Sequence, residues 1–459
     1  MVGSVAHPVS PLRAALARGA YATLMRLLVP LLIARLFVRA RREPLYGQAV
    51  GERLGLGAAT APGAVWLHAV SLGETRAAEP LIRALRAARP GLRLLLTSST
   101  ATGRETAATL LQAGDAQRWL PLDTPGAVRR FLRRHRPAIG VLMETEVWPV
   151  LQHETARAGV PMVIANARLS ERSLRKARRL DALMRPAVGS LAVALAQTEA
   201  DAGRLREAGA PNVVVSGNLK FDRVPEPHLL AMGAGWREAS SGRPVVLAAS
   251  WREGEDEPLL SAWVAAMARW QGRPEQRPRL LLVPRHPQRF DEVAALVQAH
   301  GLSLSRRSGW DRLLPEIVSA DVWLGDSMRE MAAYYAMSDV ALLGGSYAPL
   351  GGQNLIEAAA CRCPVVMGPH TFNFAEAAAL AEEAGAARRV PDLATGVAEA
   401  IGLIDPARPD RLAAMVTAST AYAARHQGAA ERMAHAVLAR VDAPVDAPAE
   451  ASITSPARR

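Results

Sequence analysis

Cysteine is nearly absent from this chain of 459 residues, with only Cys361 and Cys363 present. They stand one residue apart with no second pair, so they complete neither a metal site nor a disulfide framework; they read as buried thiols of a reducing compartment. Aromatic residues make up only 5% of the chain. No basic strand interleaves with them and no zinc-ligand spacing occurs, which sets nucleic acid aside as a partner despite the basic balance. An Asp-x-Asp metal motif is also lacking, and so is a long uninterrupted apolar run. What is present is a globular composition, 50% hydrophobic and 21% charged, which excludes global disorder. The length exceeds what one ordinary core serves, so two domains are expected.

Acidic residues are in short supply, and the formal net charge is +12. Half of that excess lies in residues 1–60, where eight arginines face only Glu43 and Glu52. Within it, the apolar segment Tyr21 to Val38 is interrupted by Arg26, Pro30 and Arg35 and followed by Arg39, Arg41 and Arg42. Two internal arginines argue against a plain crossing, whereas a helix lying in one leaflet lets them snorkel to headgroups. Residues 1–44 are therefore expected to form a membrane-associated segment on an anionic surface. A cleaved signal and an ordinary buried helix are the alternatives.

From Ala64 onward short apolar runs alternate with amphipathic stretches. Strands are expected at Ala64–His68, Leu92–Thr97, Ile139–Met143, Met162–Ala165 and Leu191–Ala196, which implies a parallel, doubly wound sheet with ligands at its carboxyl ends. Those ends are polar. After the first comes Ser71-Leu72-Gly73-Glu74, where Gly73 permits a tight turn and Glu74 opens a helix, either favouring the helix dipole or aiming a carboxylate at a ligand. A hydroxyl-rich run from Thr97 to Thr102 offers a phosphate or sugar cradle. Glu144-Thr145-Glu146-Val147-Trp148-Pro149 sets two acids close together, where burial would raise their pKa values. Asn166-Ala167-Arg168-Leu169-Ser170 closes the next strand. Basic runs at Arg129 to Arg136 and Arg168 to Arg179 read as solvated helix faces or as contacts for an anionic acceptor.

Gly217-Asn218-Leu219-Lys220-Phe221-Asp222 and the prolines up to Pro227 mark a linker, and the alternation then restarts. Strands are expected at Val245–Ala249, Leu280–Val283, Val322–Leu324, Ala341–Leu343 and Val365–Met367. Their ends carry Ser250-Trp251-Arg252-Glu253-Gly254-Glu255, then Pro284-Arg285-His286-Pro287, in which an arginine beside a histidine suits a phosphate. The most glycine-rich end is Gly344-Gly345-Ser346, continuing to Gly351-Gly352-Gln353-Asn354. Its glycines let backbone approach a ligand, Asn354 opens a helix, and Glu357 in the first turn is set to bond sugar hydroxyls. Two such sheets are expected to face each other across a cleft.

Taken together and in order, these strand-end sequences, with the basic apolar N-terminus and Gly368-Pro369-His370-Thr371-Phe372-Asn373-Phe374, resemble the 3-deoxy-D-manno-octulosonic acid (Kdo) transferases of lipopolysaccharide synthesis. The resemblance runs from about Tyr21 to Ala430. It implies a GT-B fold of two Rossmann-like domains: 45–224 for the acceptor, 225–430 for the CMP-sugar, and a tail at 431–459 expected to be disordered. It implies transfer of Kdo from CMP-Kdo to a lipid A precursor at the cytoplasmic face of the inner membrane, with no metal or other cofactor. By position, Glu74 is the general base, and Glu144 and Glu146 orient it or the acceptor. Arg285, His286, Ser250, Gly344, Gly345, Ser346, Gly351, Gly352 and Asn354 hold the donor, with Glu357 on its hydroxyls. The sequence departs from the usual family form at Gln353, where histidine is frequent, and at Trp251-Arg252. A GT-B enzyme of another nucleotide sugar, or a non-catalytic membrane-associated sugar-binding protein, remains the alternative.

Overall fold

The computed structural model describes residues 9–239, 242–310 and 319–442. The chain divides into two compact units, the first built from the chain up to Asp222 together with the segment from Gln427 onward, the second from Arg223 to His426.

The first unit holds a seven-stranded sheet of β1 (Val65–His68), β2 (Leu94–Ser98), β3 (Ala116–Trp119), β4 (Ile139–Met143), β5 (Met162–Ala167), β6 (Val193–Ala196) and β7 (Val213–Val215). All pairings are parallel, in the order β3-β2-β1-β4-β5-β6-β7. The two-residue side-chain period sorts the apolar residues to two faces. Val65, Leu67, Leu94 and Leu96 pack under Leu81, Ile82 and Leu85 of the helix Leu72–Ala88. Trp66, Leu95 and Leu142 pack on the other face with Val128, Phe131 and Leu151. Covering both faces is what parallel strands require.

The second unit repeats the plan with β8 (Val245–Trp251), β9 (Arg279–Pro284), β10 (Leu304–Arg306), β11 (Val322–Leu324), β12 (Val340–Leu343), β13 (Val365–Met367) and β14 (Ala387–Arg389). These strands are again parallel, in the order β10-β11-β9-β8-β12-β13-β14. In each sheet the order reverses beside its first strand, between β1 and β4 and between β8 and β12. Ligands of open parallel sheets bind at such points.

At the N-terminus a 30-residue helix spans Pro11–Ala40, about 45 Å long at 1.5 Å per residue. By length and composition it suffices to cross a membrane. It is not a core helix: only Ala14 and Ala22 are buried, while Leu12, Leu16, Leu24, Leu27, Leu31 and Phe37 are exposed. Its early turns rest on the helices Pro149–Arg157 and Asp181–Gly189. At its far end Leu36 and Ala40 pack on Tyr46 and Trp119, with Arg39 4.3 Å over the Tyr46 ring.

The expectation of a disordered tail at 431–459 needs correction. Residues 431–442 belong to a helix, Ala429–Asp442, whose Met433, Ala434 and Val437 are buried in the first unit against the sheet. Asp222 accepts hydrogen bonds from the amides of Gly428 and Ala430, and Arg432 donates to the Ser216 carbonyl at 3.1 Å. The alanine-rich sequence hid an amphipathic face that has a core to join. Residues 443–459 lie outside the described residues. Met433→Ala should therefore lower the stability of the first unit by roughly 2–5 kcal/mol, the cost of a large-to-small core change, as read by denaturant unfolding. A dispensable tail would leave it unchanged.

Candidate active site

In the first unit, Ser71 caps the helix Leu72–Ala88 and Glu74 sits at its third position. The Ser71 hydroxyl accepts from the Glu74 amide at 3.4 Å and donates to Oε1 at 3.3 Å, while the Val70 amide donates to Oε2 at 2.8 Å. This is a variant of the reciprocal capping arrangement, and it fixes the carboxylate in place. Gly73, expected to permit a tight turn, has an ordinary helical backbone. An added Cβ there would meet only Ser71 Oγ at 3.9 Å, so the glycine leaves the helix end open beside Glu74.

Across the reversal point, Glu144 follows β4 with φ 59°, its amide donating to the Ala165 carbonyl and its carbonyl accepting from the Arg168 amide. Burial first, and then the charges of Glu144 and Glu146, raise the Glu74 carboxyl to about 7 against the two hydrogen bonds that lower it. Burial and then Glu144 raise Glu146 as well. The structure thus brings these three acids into one electrostatic group.

Other polar strand ends in this unit carry bonds that hold the fold. The Thr97 hydroxyl receives the Trp66 indole N–H at 2.8 Å, and Thr100 caps its helix and donates to the Val70 carbonyl. Two hydroxyls of that run, those of Thr97 and Thr100, are therefore engaged in holding the fold. Fully buried Asn166, at φ 54°, accepts the Leu219 amide through Oδ1, and its carbonyl accepts from Gln197, which in turn receives Asn218. Two motifs of the sequence thereby hold each other.

The basic runs differ. In the first, Arg129 binds Glu154 through two 2.8 Å bonds and Arg130 donates to the Leu54 carbonyl. In the second, Arg168, Arg172, Lys176 and Arg179 are exposed and have no side-chain partner among the described residues, whereas Arg175 and Arg178 pair with Glu171 and Glu207.

In the second unit, the ends of β8, β9 and β12 are adjacent. Ser250 adopts φ 53° at the irregularity in the β8–β9 register, and its hydroxyl lies 3.9 Å from Met331 Sδ. Gly344 is required by close approach: a Cβ there would lie 2.5 Å from the Ser250 carbonyl oxygen. Arg285 is exposed and its guanidinium has no partner among the described residues. His286 Nε2 lies 3.6 Å from Glu253, which Arg252 also contacts, at 3.0 Å.

The glycine loop requires two corrections. Ser346 is fully buried, its hydroxyl donating to the Leu343 carbonyl and accepting from the Gly368 amide, so it joins the ends of two strands. The amides expected to cradle an anion already have one: Gly345, Tyr347 and Ala348 donate to Glu255 at 2.7, 3.1 and 3.0 Å. Gly351 and Gly352 take positive φ of 92° and 73°, and the Gly352 amide bonds back to the Gly345 carbonyl. Asn354 caps the helix Leu355–Ala360, and Glu357 lies in its first turn.

Residues 48–223 match the family described as 3-deoxy-D-manno-octulosonic-acid transferase (kdotransferase). A 3-deoxy-D-manno-octulosonic acid transferase of Bordetella pertussis is 48% identical over 429 residues, covering 90% of this chain and 97% of that protein. The chain belongs to the Kdo transferase family. Another Kdo transferase, from Haemophilus influenzae, is 35% identical over 78% of this chain and 83% of its own length. A glycosyltransferase structure from Rickettsia africae, 11% identical, aligns over 83% of this chain and 98% of its own with a TM-score of 0.55, a likeness of fold. The protein is thus a glycosyltransferase of GT-B type, with two parallel α/β units of seven strands each.

For this Kdo transferase, sequence reasoning selected Ser250 from its strand end and passed over Arg252, Glu253 and Glu255. The available signal was the acid standing immediately before the helix Asp256–Ala268, close to the end of a buried strand. The two cysteines are buried and free, as expected. Neutralising Glu144 removes one of the charges that raise Glu74, so Glu144→Gln should bring the Glu74 titration below its midpoint of about 7. Carboxyl-resolved NMR against pH would show this, and an unmoved midpoint would mean the two do not interact.

Proposed function

We propose that this enzyme transfers Kdo from CMP-Kdo to a hydroxyl of the lipid A precursor, lipid IVA, with inversion and release of CMP. The observation that carries the mechanism is Glu74, a fixed, half-buried carboxylate whose pKa is raised by burial to about 7. A base of that strength is matched to near-neutral pH, where its conjugate forms readily and enough of it is ionised. The acceptor hydroxyl gives its proton to Glu74 as its oxygen forms the bond to the anomeric carbon of Kdo. The bond from that carbon to the CMP phosphate oxygen breaks on the opposite face, and the electron pair leaves with CMP. Single displacement inverts the centre.

Unpaired Arg285 meets the phosphate charge that develops on the leaving group, with Arg252 and His286 beside it. Glu357 is assigned to the donor hydroxyls. No metal enters the proposal.

The acceptor carries phosphates and acyl chains, and two features of the first unit suit it. Arg168, Arg172, Lys176 and Arg179 form an exposed cationic face, and the helix Pro11–Ala40 presents its apolar side outward. We assign that helix to the cytoplasmic leaflet of the inner membrane, its arginines reaching the headgroups. The reading as an enzyme of another nucleotide sugar rests on fold likeness alone. Incubation with CMP-Kdo or with UDP-sugars and lipid IVA separates the two, since the mass of the lipid should rise by whole Kdo residues with CMP-Kdo only.

Glu74→Ala should lower turnover by roughly 10²–10⁴-fold, the usual contribution of a positioned base, while CMP-Kdo binding by calorimetry stays near wild type. Because the base must be ionised, kcat/KM of the wild type should fall tenfold per pH unit below about 7 and level off above it; retained turnover in the alanine variant removes Glu74 from the mechanism. Arg285→Ala should raise the KM for CMP-Kdo by about tenfold or more, as loss of a charge-assisted contact predicts. An unchanged KM would assign the phosphate to another cation.

A further inference from the structure

Glu255 stands immediately before the helix Asp256–Ala268 and is only 2% exposed. Its Oε1 receives the amides of Tyr347 and Ala348, and its Oε2 those of Gly345 and, at 3.4 Å, Arg252. A carboxylate has about four lone-pair directions, two on each oxygen. All four are used by backbone N–H groups, three of them from the glycine loop. This is the arrangement by which converging amides hold a bound anion, with the anion supplied from within the chain.

The consequences are local and physical. The loop cannot relax, because displacing Glu255 would leave three amides unpaired in a place with little water, each costing about 1–3 kcal/mol. The amides of Gly345, Tyr347 and Ala348 are also not available to a phosphate. The run that supplies Glu255 carries Arg252 three residues earlier, and the Arg252 stem crosses the loop: its Cγ lies 3.4 Å from the point a Cβ on Gly345 would occupy. One short segment therefore fixes the loop and sets a cation against it.

We infer that Glu255 is a positioning residue for the donor substrate. It locks the Gly344–Gly352 loop from inside, so that the donor phosphate is met by the guanidinium groups of Arg252 and Arg285 instead of by the loop amides. This rests on the reading of the second unit as the CMP-Kdo unit. It adds a residue that touches the loop and not the substrate.

The test uses the full-length enzyme in detergent micelles with CMP-Kdo and lipid IVA. Glu255→Ala should raise the KM for CMP-Kdo by about tenfold or more while kcat changes by less than about threefold, the split expected when positioning of one substrate is lost. The KM for lipid IVA should not change. Acetate added to this variant should restore donor affinity by entering the emptied amide nest, and inorganic phosphate should become a competitive inhibitor against CMP-Kdo although it does not inhibit the wild type through the loop. A residue that only stabilised the fold would lower the melting temperature without altering donor KM, and acetate would leave KM where it was. Either result overturns the inference.

Should Glu255→Ala not fold, Glu255→Asp keeps the charge but is one methylene short, and an intermediate donor KM is expected; a wild-type KM in folded Glu255→Asp, with Glu255→Gln equally unaffected, refutes the role. CMP binding measured by calorimetry gives the same comparison without turnover. Wild-type enzyme that ignores CMP-Kdo overturns the proposed reaction, whereas active wild type with an indifferent Glu255→Ala overturns this inference alone.

Discussion

Both sheets are parallel and covered by helices on both faces, and this single constraint decides where chemistry can occur. Val65 and Trp66, on opposite faces of one strand, are both buried, as are Val246 and Leu247 in the second unit. Side chains in the body of each strand are committed to packing, so a group that must meet a ligand has to stand beyond the carboxyl end of a strand. In the first unit that leaves Glu74 after β1 and Glu144 and Glu146 after β4. In the second it leaves Ser250 to Glu255 after β8, Arg285 and His286 after β9, and the glycine loop after β12. Apart from Arg285 and His286, which follow the neighbouring β9, these groups fall where strand order reverses, because there the connections leave in opposite directions and leave room for a ligand.

The backbone is forced to conform to this placement. Glu144, Asn166 and Ser250 are non-glycine residues at positive φ, each where a strand ends. Such conformations cost on the order of 1 kcal/mol or more and persist only when the surroundings over-determine them. Here the surroundings can be named. Glu144 is held by backbone bonds to Ala165 of β5 and to Arg168 just after it, Asn166 by Leu219 and Gln197, and Ser250 by the close passage of Gly344. At Asn166 and Ser250 the pairing register shifts in the same strand, so each sheet turns its chain sharply at the rim of the site.

The strands with both faces buried were legible in the sequence because they are continuous apolar runs. The four that went unread, β3, β7, β10 and β14, are the edge strands of the two sheets; β3, β10 and β14, such as Ala-Gln-Arg-Trp and Ala-Arg-Arg, are polar and partly solvated, so nothing in their composition distinguishes them from loops, and β7 is three valines that run straight into the linker. The C-terminal helix was missed because its apolar face has meaning only once the first unit supplies a surface for Met433 and Val437 to join. Within the site, residue types and strand-end positions were legible, but partners were not. Ser346 and the loop amides carry the composition of a ligand cradle, and their bonds to Gly368 and Glu255 join residues 22 and about 90 positions apart in the chain. No local pattern encodes such contacts.

A half-buried and a buried glutamate show how partner count separates roles for one residue type. Burial raises both carboxyls above their ordinary value. Glu255 receives two amides on each oxygen, which fills its acceptor directions; it has none left to take a proton from a substrate and can act only through what it holds. Glu74 receives one amide on Oε2 and one hydroxyl on Oε1, enough to fix its position while leaving a lone pair open on each oxygen. It also stands beside Glu144 and Glu146, whose charges make a proton more welcome, whereas Glu255 faces a wall of N–H dipoles. The same side chain therefore keeps room for a proton where the fold supplies few donors and further negative charge, and serves as a structural acceptor where the fold supplies donors in full.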